Sequence, residues 1–142
     1  MGVKTYGPGY GDYVVQQADH WVFEGSGMKN GDYIPGLIGW EYHGTPAKIP
    51  GLVELASAPM YNFSKTAWRP NAGRHSSVIY PGPKGNWVFN AGTIWWAEGL
   101  SSPPGHAPAG SQIARTFGVD ERVQKITKNL IDRFLRDSQI QL

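Results

Sequence analysis

The spacing of apolar residues predicts one amphipathic helix near the C-terminus. Across residues 120–138 they recur at steps of three and four positions, which places them along one stripe of a helix. Asp120 is predicted to cap the N-terminus, because its carboxylate can accept backbone N–H groups and suits the positive end of the helix dipole. The charged residues fall mostly on the other side, so the helix is predicted to pack through a stripe formed by Val123, Ile126, Leu130, Ile131, Phe134 and Leu135.

A β-hairpin is predicted over residues 75–96, where the apolar pattern changes. Two runs rich in β-branched and aromatic residues are joined there by the segment PGPKGN, which supplies the glycine of a hairpin loop. Neither face of the second run is polar throughout, which is typical of a strand covered on both sides. In such a strand Trp95 and Trp96 face opposite sides, one filling a core and the other meeting an interface.

The rest of the sequence predicts short strands among many loops. Residues 1–13 contain Gly, Pro and Tyr without a sustained period and predict a flexible arm or a surface loop. Residues 37–44 predict a strand, whereas four prolines interrupt residues 44–74 and leave one short strand at residues 52–58. We therefore predict a single domain or domain fragment over residues 1–142, made of the arm or loop (1–13), a strand- and loop-rich region (14–118) and the C-terminal helix (119–138).

Composition and charge narrow the possible functions. Thirteen Lys and Arg against eleven Asp and Glu give a net charge of +2, far from the concentrated basic surface of a nucleic-acid-binding protein. The absence of cysteine excludes disulfides, thiolate nucleophiles and cysteine-based metal sites. The start of the chain lacks the apolar core of a signal peptide, and no apolar run is long enough to cross a bilayer. These features predict a cytoplasmic protein without a membrane partner.

Glu41 and His43 are the main candidates for chemistry. If residues 37–43 form one strand, both side chains point to the same face, and a carboxylate beside an imidazole is an arrangement that acid–base catalysis uses. Two residues do not make a motif. The alternative is a half-exposed strand end whose Glu and His bond only to neighbouring backbone, and the spacing leaves both interpretations open.

The other titratable residues are predicted to have structural roles. His20 is assigned to a turn, His75 to the position before a strand and His106 to a loop, and no two-His spacing typical of a metal site occurs. Glu24 and Glu98 each follow an aromatic run and precede a glycine, and both are predicted to face water. Neither a nucleophile elbow nor a phosphate-binding glycine loop is present.

Three segments carry a resemblance to a known family: DHWVFEGSGMKNGDYIPGLIGWEYHG, then VIYPGPKGNWVFNAGTIWWAEGLSSPPGH, then GVDERVQKITKNLIDRF. Together and in this order they resemble the C-terminal region of the large (beta) subunit of N,N-dimethylformamidase and its relatives. The likeness covers nearly the whole chain beyond Tyr13. It implies an α/β fold, the C-terminal part of a glutamine-amidotransferase-like domain, in a hydrolase that cleaves the C–N bond of a small linear N-substituted amide.

The same resemblance implies where the chemistry would lie. Family members hold a mononuclear iron with two tyrosines and a glutamate, and these ligands are expected upstream of the matched region, so no cofactor is predicted from this chain alone. Glu41 looks like the active-site glutamate near the iron, which orients or deprotonates the attacking water, and His43 would support it. The implied partners are the remainder of the subunit or another subunit, a second copy in a homo-oligomer, and the amide substrate. The isolated chain is expected to be inactive, because a fragment would leave sheet edges and apolar faces uncovered.

Two other hypotheses stand beside the amidohydrolase. The first is a non-catalytic structural or protein-interaction module, a remnant of the domain that self-associates or packs on a partner. The second is a carbohydrate-binding module, which requires Trp68 and either Trp95 or Trp96 to lie on one flat exposed surface.

Overall fold

The fold is built on an antiparallel sheet of five strands, with a two-stranded ribbon and one long helix beside it. The computed structural model describes residues 2–4, 6–39, 41–64, 67–101 and 119–137. Two short 3₁₀ helices, Trp21–Phe23 and Trp96–Gly99, lie between the longer elements. The longer elements in chain order are β1 (Tyr6–Gly7), β2 (Tyr10–Val14), β3 (Tyr33–Gly39), β4 (Tyr42–His43), β5 (Val53–Ser64), β6 (Ala67–Pro81), β7 (Trp87–Asn90) and α1 (Glu121–Asp137).

The strand order of the large sheet is β3-β2-β5-β6-β7, and every described strand pair is antiparallel. The ribbon consists of β1 and β4. The predicted combination of sheet and helix is therefore present, and the sheet is an antiparallel one. Its buried side chains form one core with Val22 and Phe23 of the first 3₁₀ helix and with Val123, Ile126 and Leu130 of α1. No described helix is both long and apolar enough to cross a membrane.

The predicted helix and its cap are confirmed. The backbone N–H of Arg122 donates to Asp120 Oδ1 at 3.0 Å, as an N-cap requires. Burial alone would raise the pKa of Asp120, but hydrogen bonds from the Arg122 side chain and backbone hold it below its usual value. The apolar stripe is buried at Val123, Ile126 and Leu130 and partly buried at Phe134, whereas Ile131 and Leu135 are 52% and 71% exposed.

The predicted β-hairpin is confirmed, but its second strand is shorter than expected. β6 and β7 pair from Val78↔Asn90 to Pro81↔Trp87. The strand ends there because Gly92 takes a positive φ of 75° and donates its N–H back to the Asn90 side chain, which closes a turn. Trp95 and Trp96 therefore do not alternate along a strand, and Trp95 is fully buried.

The largest difference from the prediction is the long hairpin of β5 and β6, in a region expected to hold one short strand. The pairing runs from Val53↔Ile79 to Ser64↔Ala67 despite two internal prolines. Pro59 lies at a register shift, where a missing N–H is tolerated. Pro70 lies in the half of β6 that β7 does not reach, so its missing N–H faces an edge.

The segment predicted as an arm or loop, residues 1–13, instead contains β1 and most of β2. Its glycines serve close packing as well as turns. An added Cβ at Gly11 would lie 3.1 Å from the sulfur of Met60, and one at Gly9 would lie 2.9 Å from the Asn71 amide. This glycine-rich segment, whose composition is typical of a loop, therefore lies directly against the hairpin of β5 and β6. The division of the chain into domains stays a prediction.

The outer edge of β3 is closed by other parts of the chain. The Thr93 hydroxyl donates to Leu37 O at 3.0 Å and accepts the N–H of Gly39 at 3.2 Å. Pro35 has no N–H to offer, and Arg122 Nη1 donates to Tyr33 O at 2.9 Å. The sheet edge at β3 is thus not left open, in contrast to the expectation for a fragment.

We expect the variant Thr93→Val to lower the free energy of unfolding by about 1–2 kcal/mol, since it removes one hydroxyl that also accepts the N–H of Trp95 at 3.1 Å. Valine keeps the shape of threonine but leaves two backbone N–H groups and one carbonyl without this partner. Urea denaturation followed by tryptophan fluorescence measures the loss. Thr93→Ser keeps the hydroxyl and is the control. Equal stability of wild type and Thr93→Val would contradict the role of this hydroxyl at the edge.

Candidate functional site

The two candidate residues lie on either side of Tyr42, where the chain leaves β3. β3 ends at Gly39, Glu41 lies in an exposed bend, and His43 is half-buried in β4. Trp40 lies outside the described residues. Residues 37–43 are therefore not one continuous strand, so the proximity of Glu41 and His43 follows from their places in the bend and in β4.

His43 is attached to the end of β7 by its backbone and by its ring. Its backbone N–H donates to Gly92 O at 3.0 Å. Its Nδ1 atom lies 2.8 Å from Nδ2 and 3.0 Å from Oδ1 of Asn90. The bonds of this ring therefore reach beyond its neighbouring backbone, to a residue 47 positions away.

Tyr42 points away from Asn90, toward β6, and the absence of side chains there makes room for its ring. A Cβ at Gly73 would lie 1.8 Å from the Tyr42 hydroxyl oxygen, and Cβ atoms at Gly7 and Gly9 would lie 3.2 Å from its ring or hydroxyl. The ring borders an open cleft of about 510 Å³. The residues lining this cleft are Pro8, Tyr42, Thr45, Asn62, Asn71, Gly73 and Arg74.

The cleft offers hydrogen-bonding groups with balanced charge. Arg74 forms a bidentate pair with Glu54, with Nη1–Oε1 at 2.8 Å and Nη2–Oε2 at 3.2 Å. The Asn71 amide donates to Asn62 Oδ1 at 3.0 Å. A space of this size and polarity can accept a small polar molecule. Neither Glu41 nor His43 lines it.

Behind β7 lies a buried polar group formed by Tyr13, His75 and Ser77. The Tyr13 hydroxyl donates to Ser77 Oγ at 3.3 Å, which in turn donates to Asn90 O at 3.0 Å. His75 is fully buried, and its Nε2 lies 3.0 Å from Ala91 O. Burial lowers the pKa of His75 to about 4 and raises the pKa of Tyr13, so both are neutral near pH 7.

Two of the structural roles predicted for titratable residues are wrong. His75 lies inside β6 rather than before a strand, and it is fully buried. Glu98 is only 1% exposed, because the 3₁₀ helix Trp96–Gly99 folds it against the core rather than extending the hairpin. Glu24 is exposed, as predicted. His106 lies outside the described residues.

One of the tryptophans required for a flat sugar-binding surface lies in the interior. Trp95 is fully buried, and Trp96 is half-buried with its Nε1 donating to Thr127 Oγ1 at 2.9 Å. The side chain of Trp68 lies outside the described part of the structure. Trp95 therefore fills the core and is not accessible for stacking on a sugar ring.

Clusters of His, Asp and Glu side chains, which many metal sites use, are absent from the described residues. Across residues 2–4, 6–39, 41–64, 67–101 and 119–137, no three His, Asp or Glu side chains lie close enough together to hold a metal ion. Near Glu41 the nearest candidate ligand along the chain, His43, is already engaged through Nδ1 with Asn90.

Comparison with known proteins gives one family match. Residues 1–110 match the family model described as N,N-dimethylformamidase beta subunit-like, C-terminal. The match includes the bend with Glu41, the whole five-stranded sheet and both 3₁₀ helices, and it ends before α1. A search of curated proteins found no match. Because the family model covers more than half of the chain, this protein belongs to the N,N-dimethylformamidase beta subunit-like, C-terminal family.

Proposed function

We propose that this chain is the C-terminal segment of an N,N-dimethylformamidase-like amidohydrolase, which hydrolyses the C–N bond of a small N-substituted amide. The observation that carries the proposal is the family match over residues 1–110. The placement of the candidate residues is compatible with it, since Glu41 is exposed and His43 is held in a defined position beside it. An exposed carboxylate can meet a substrate or another part of the enzyme.

The roles proposed for the two residues follow from their chemistry. Glu41 is the proton acceptor that orients or deprotonates the attacking water, which a carboxylate can do once the site is closed from bulk solvent. His43 assists from the adjacent strand, where its backbone is fixed by Gly92. The water-excluding walls would come from sequence outside the described residues.

The proposed iron belongs to that same outside sequence. In the family the ligands are two tyrosines and a glutamate, and they are expected upstream of the region matched here. We therefore assign no step of this chain to the metal. The role of this chain is to place Glu41 and His43 beside a site that upstream residues complete.

We propose that the antiparallel sheet is the C-terminal part of a glutamine-amidotransferase-like domain, and that the remainder of the subunit or another subunit covers it, within a homo-oligomer. The family description itself refers to a subunit. Four of the large apolar side chains that are exposed here would be available for such contacts, and burying them would stabilise the assembly. They are Tyr33, Ile94, Ile131 and Leu135.

The test compares Glu41→Gln with wild type in the complete enzyme, formed by this chain together with its upstream sequence. Release of dimethylamine from N,N-dimethylformamide measures turnover. We expect Glu41→Gln to lower kcat about 100-fold, because glutamine cannot accept the proton. The matched control is Glu24→Gln, since Glu24 is also an exposed glutamate but lies beside the first 3₁₀ helix. Unchanged kcat in Glu41→Gln would overturn the assignment, and turnover by the chain alone would show that the site needs no outside residues.

The alternative, a non-catalytic interaction module, is favoured by two exposed apolar residues of the α1 stripe. Ile131 and Leu135 lie one turn apart on the same side of the helix. If the alternative holds, no combination with upstream sequence binds iron or hydrolyses amides, while Ile131→Ser with Leu135→Ser abolishes self-association in analytical ultracentrifugation. Activity that depends on Glu41 would exclude it.

A further inference from the structure

The two ring nitrogens of His43 stand in different surroundings. Nδ1 faces the Asn90 side chain, whereas Nε2 makes no hydrogen bond with the described residues. We propose that Asn90 is a positioning residue that holds His43 in the neutral tautomer with its proton on Nε2, so that His43 donates a hydrogen bond to the amide carbonyl oxygen rather than accepting a proton. The tautomer stands on geometry alone, whereas the contact with substrate rests on the proposed function.

The orientation of the Asn90 amide is fixed by a backbone group. Gly92 N–H donates to Asn90 Oδ1 at 2.9 Å, across the turn that ends β7. Rotating the amide by 180° would place the NH₂ group against this N–H, so two donors would face each other and the bond would be lost. The assignment of oxygen and nitrogen in this side chain is therefore set by chemistry that does not involve His43.

The bond from Gly92 identifies which amide atom of Asn90 is the nitrogen, and this NH₂ group is the amide atom nearest to the imidazole. Its Nδ2 lies 2.8 Å from His43 Nδ1, which is closer than Oδ1 at 3.0 Å. A proton on Nδ1 would put two donors in contact at the shorter distance. An unprotonated Nδ1 accepts this bond, and a neutral imidazole then carries its proton on Nε2.

Both partners are held in place by further bonds. His43 is fixed through its backbone N–H to Gly92 O at 3.0 Å and through the pairing of β4 with β1. The backbone carbonyl of Asn90 accepts from Ser77 Oγ at 3.0 Å. The imidazole is thus oriented before any substrate arrives, which is the condition under which a donor stabilises developing charge at little cost.

The inferred tautomer divides the chemistry between the two candidate residues. Glu41 can only accept a proton or a hydrogen bond when ionised, whereas His43 in this state presents an N–H. In amide hydrolysis the carbonyl oxygen gains negative charge as water adds, and a neutral imidazole N–H can donate to it. Glu41 would then be the base and His43 the electrophile, and the two residues flank Tyr42 in the sequence.

Nitrogen-15 NMR of the histidine rings tests the tautomer on the 142-residue chain without any activity. At neutral pH we expect the His43 Nδ1 signal to be that of an unprotonated nitrogen and the Nε2 signal that of a protonated one. His43→Gln identifies the signals by removing them. A protonated Nδ1 in the wild-type chain would overturn the proposal.

The variant Asn90→Asp removes the NH₂ donor next to His43 Nδ1 but keeps an acceptor for the Gly92 N–H. A carboxylate still accepts the Gly92 N–H but has no hydrogen to donate, so we expect a proton to appear on His43 Nδ1. His20 is an internal reference, because its Nδ1 accepts the backbone N–H of Val22 at 3.3 Å and is distant in sequence from Asn90. Its signals should stay unchanged. Unchanged His43 signals in a folded Asn90→Asp chain would refute the role of Asn90, and the wild-type spectrum still decides the tautomer if this variant fails to fold.

Kinetics of the complete enzyme test the donor role. We expect Asn90→Asp to lower kcat about 10-fold with a smaller change in KM. His43→Gln, which keeps an N–H near the Nε2 position, should retain more activity than His43→Asn, which does not. Equal loss in both variants would overturn the donor role even if Glu41 proves essential. Conversely, the expected NMR result with no effect of Glu41→Gln would refute the proposed function while leaving the tautomer intact.

Discussion

The variant Gly39→Ala is expected to lower the free energy of unfolding by about 3 kcal/mol, at the upper end of the usual cost of overpacking. The new Cβ would lie 1.9 Å from Cζ3 and 2.1 Å from Cη2 of Trp95. Trp95 is fully buried, and β3 is held by β2 on one side and by Thr93 on the other. Neither the ring nor the strand can move without breaking contacts, so the clash costs stability.

Urea denaturation of Gly39→Ala and wild type gives the difference. Gly7→Ala is the milder comparison and should cost less, because its Cβ would lie 3.2 Å from the Tyr42 hydroxyl oxygen rather than inside a ring and its φ is not positive. In the background of Trp95→Leu, which lacks the atoms that clash, the cost of Gly39→Ala should shrink markedly. A full 3 kcal/mol penalty in that background would mean that the ring is not the cause.

Acidification from pH 6.5 to pH 4 is expected to remove about 3 kcal/mol of stability through His75. Burial lowers the pKa of His75 from 6.5 to about 4 in the folded chain, whereas the unfolded chain keeps the ordinary value. Between these values the unfolded state binds a proton that the folded state does not, so stability falls by about 1.4 kcal/mol per pH unit. The contribution is therefore complete above pH 6.5 and lost as the pH falls toward 4.

The measurement is the unfolding free energy at several pH values for wild type and His75→Gln. Glutamine can still donate to Ala91 O but does not titrate, so the pH dependence should flatten even if the variant is less stable overall. His20→Gln serves as a comparison, because burial also lowers the pKa of His20, which is only partly buried. Parallel curves for wild type and His75→Gln would contradict the assignment.

Local pattern was sufficient where an element depends on residues close in sequence. The helix α1 is predicted by apolar residues at steps of three and four positions and by Asp120, whose carboxylate accepts the N–H of Arg122. The β6–β7 hairpin is predicted by the composition of its loop. The long hairpin of β5 and β6 was missed, because Pro59 and Pro70 break a strand pattern unless a bulge or an edge accommodates them. Such accommodation depends on neighbouring strands, which the local sequence does not reveal.

The candidate site shows the same limit. Glu41 and His43 are close together in the sequence. The contacts that hold the ring and backbone of His43 come from Asn90 and Gly92, far along the chain. Nothing near position 90 marks that asparagine as a partner. The burial of Glu98 was also missed, because the prediction extended a strand through a region where Gly92 starts a turn.

The closed outer edge of β3 restricts how this sheet can grow. An incoming strand at that side would have to displace the side chains of Thr93 and Arg122. It would also find no backbone N–H at Pro35 to bond with. Addition beside β7 displaces none of these bonds. Any further strand that enlarges this domain, whether from upstream sequence or from a second molecule, is therefore directed to the opposite flank.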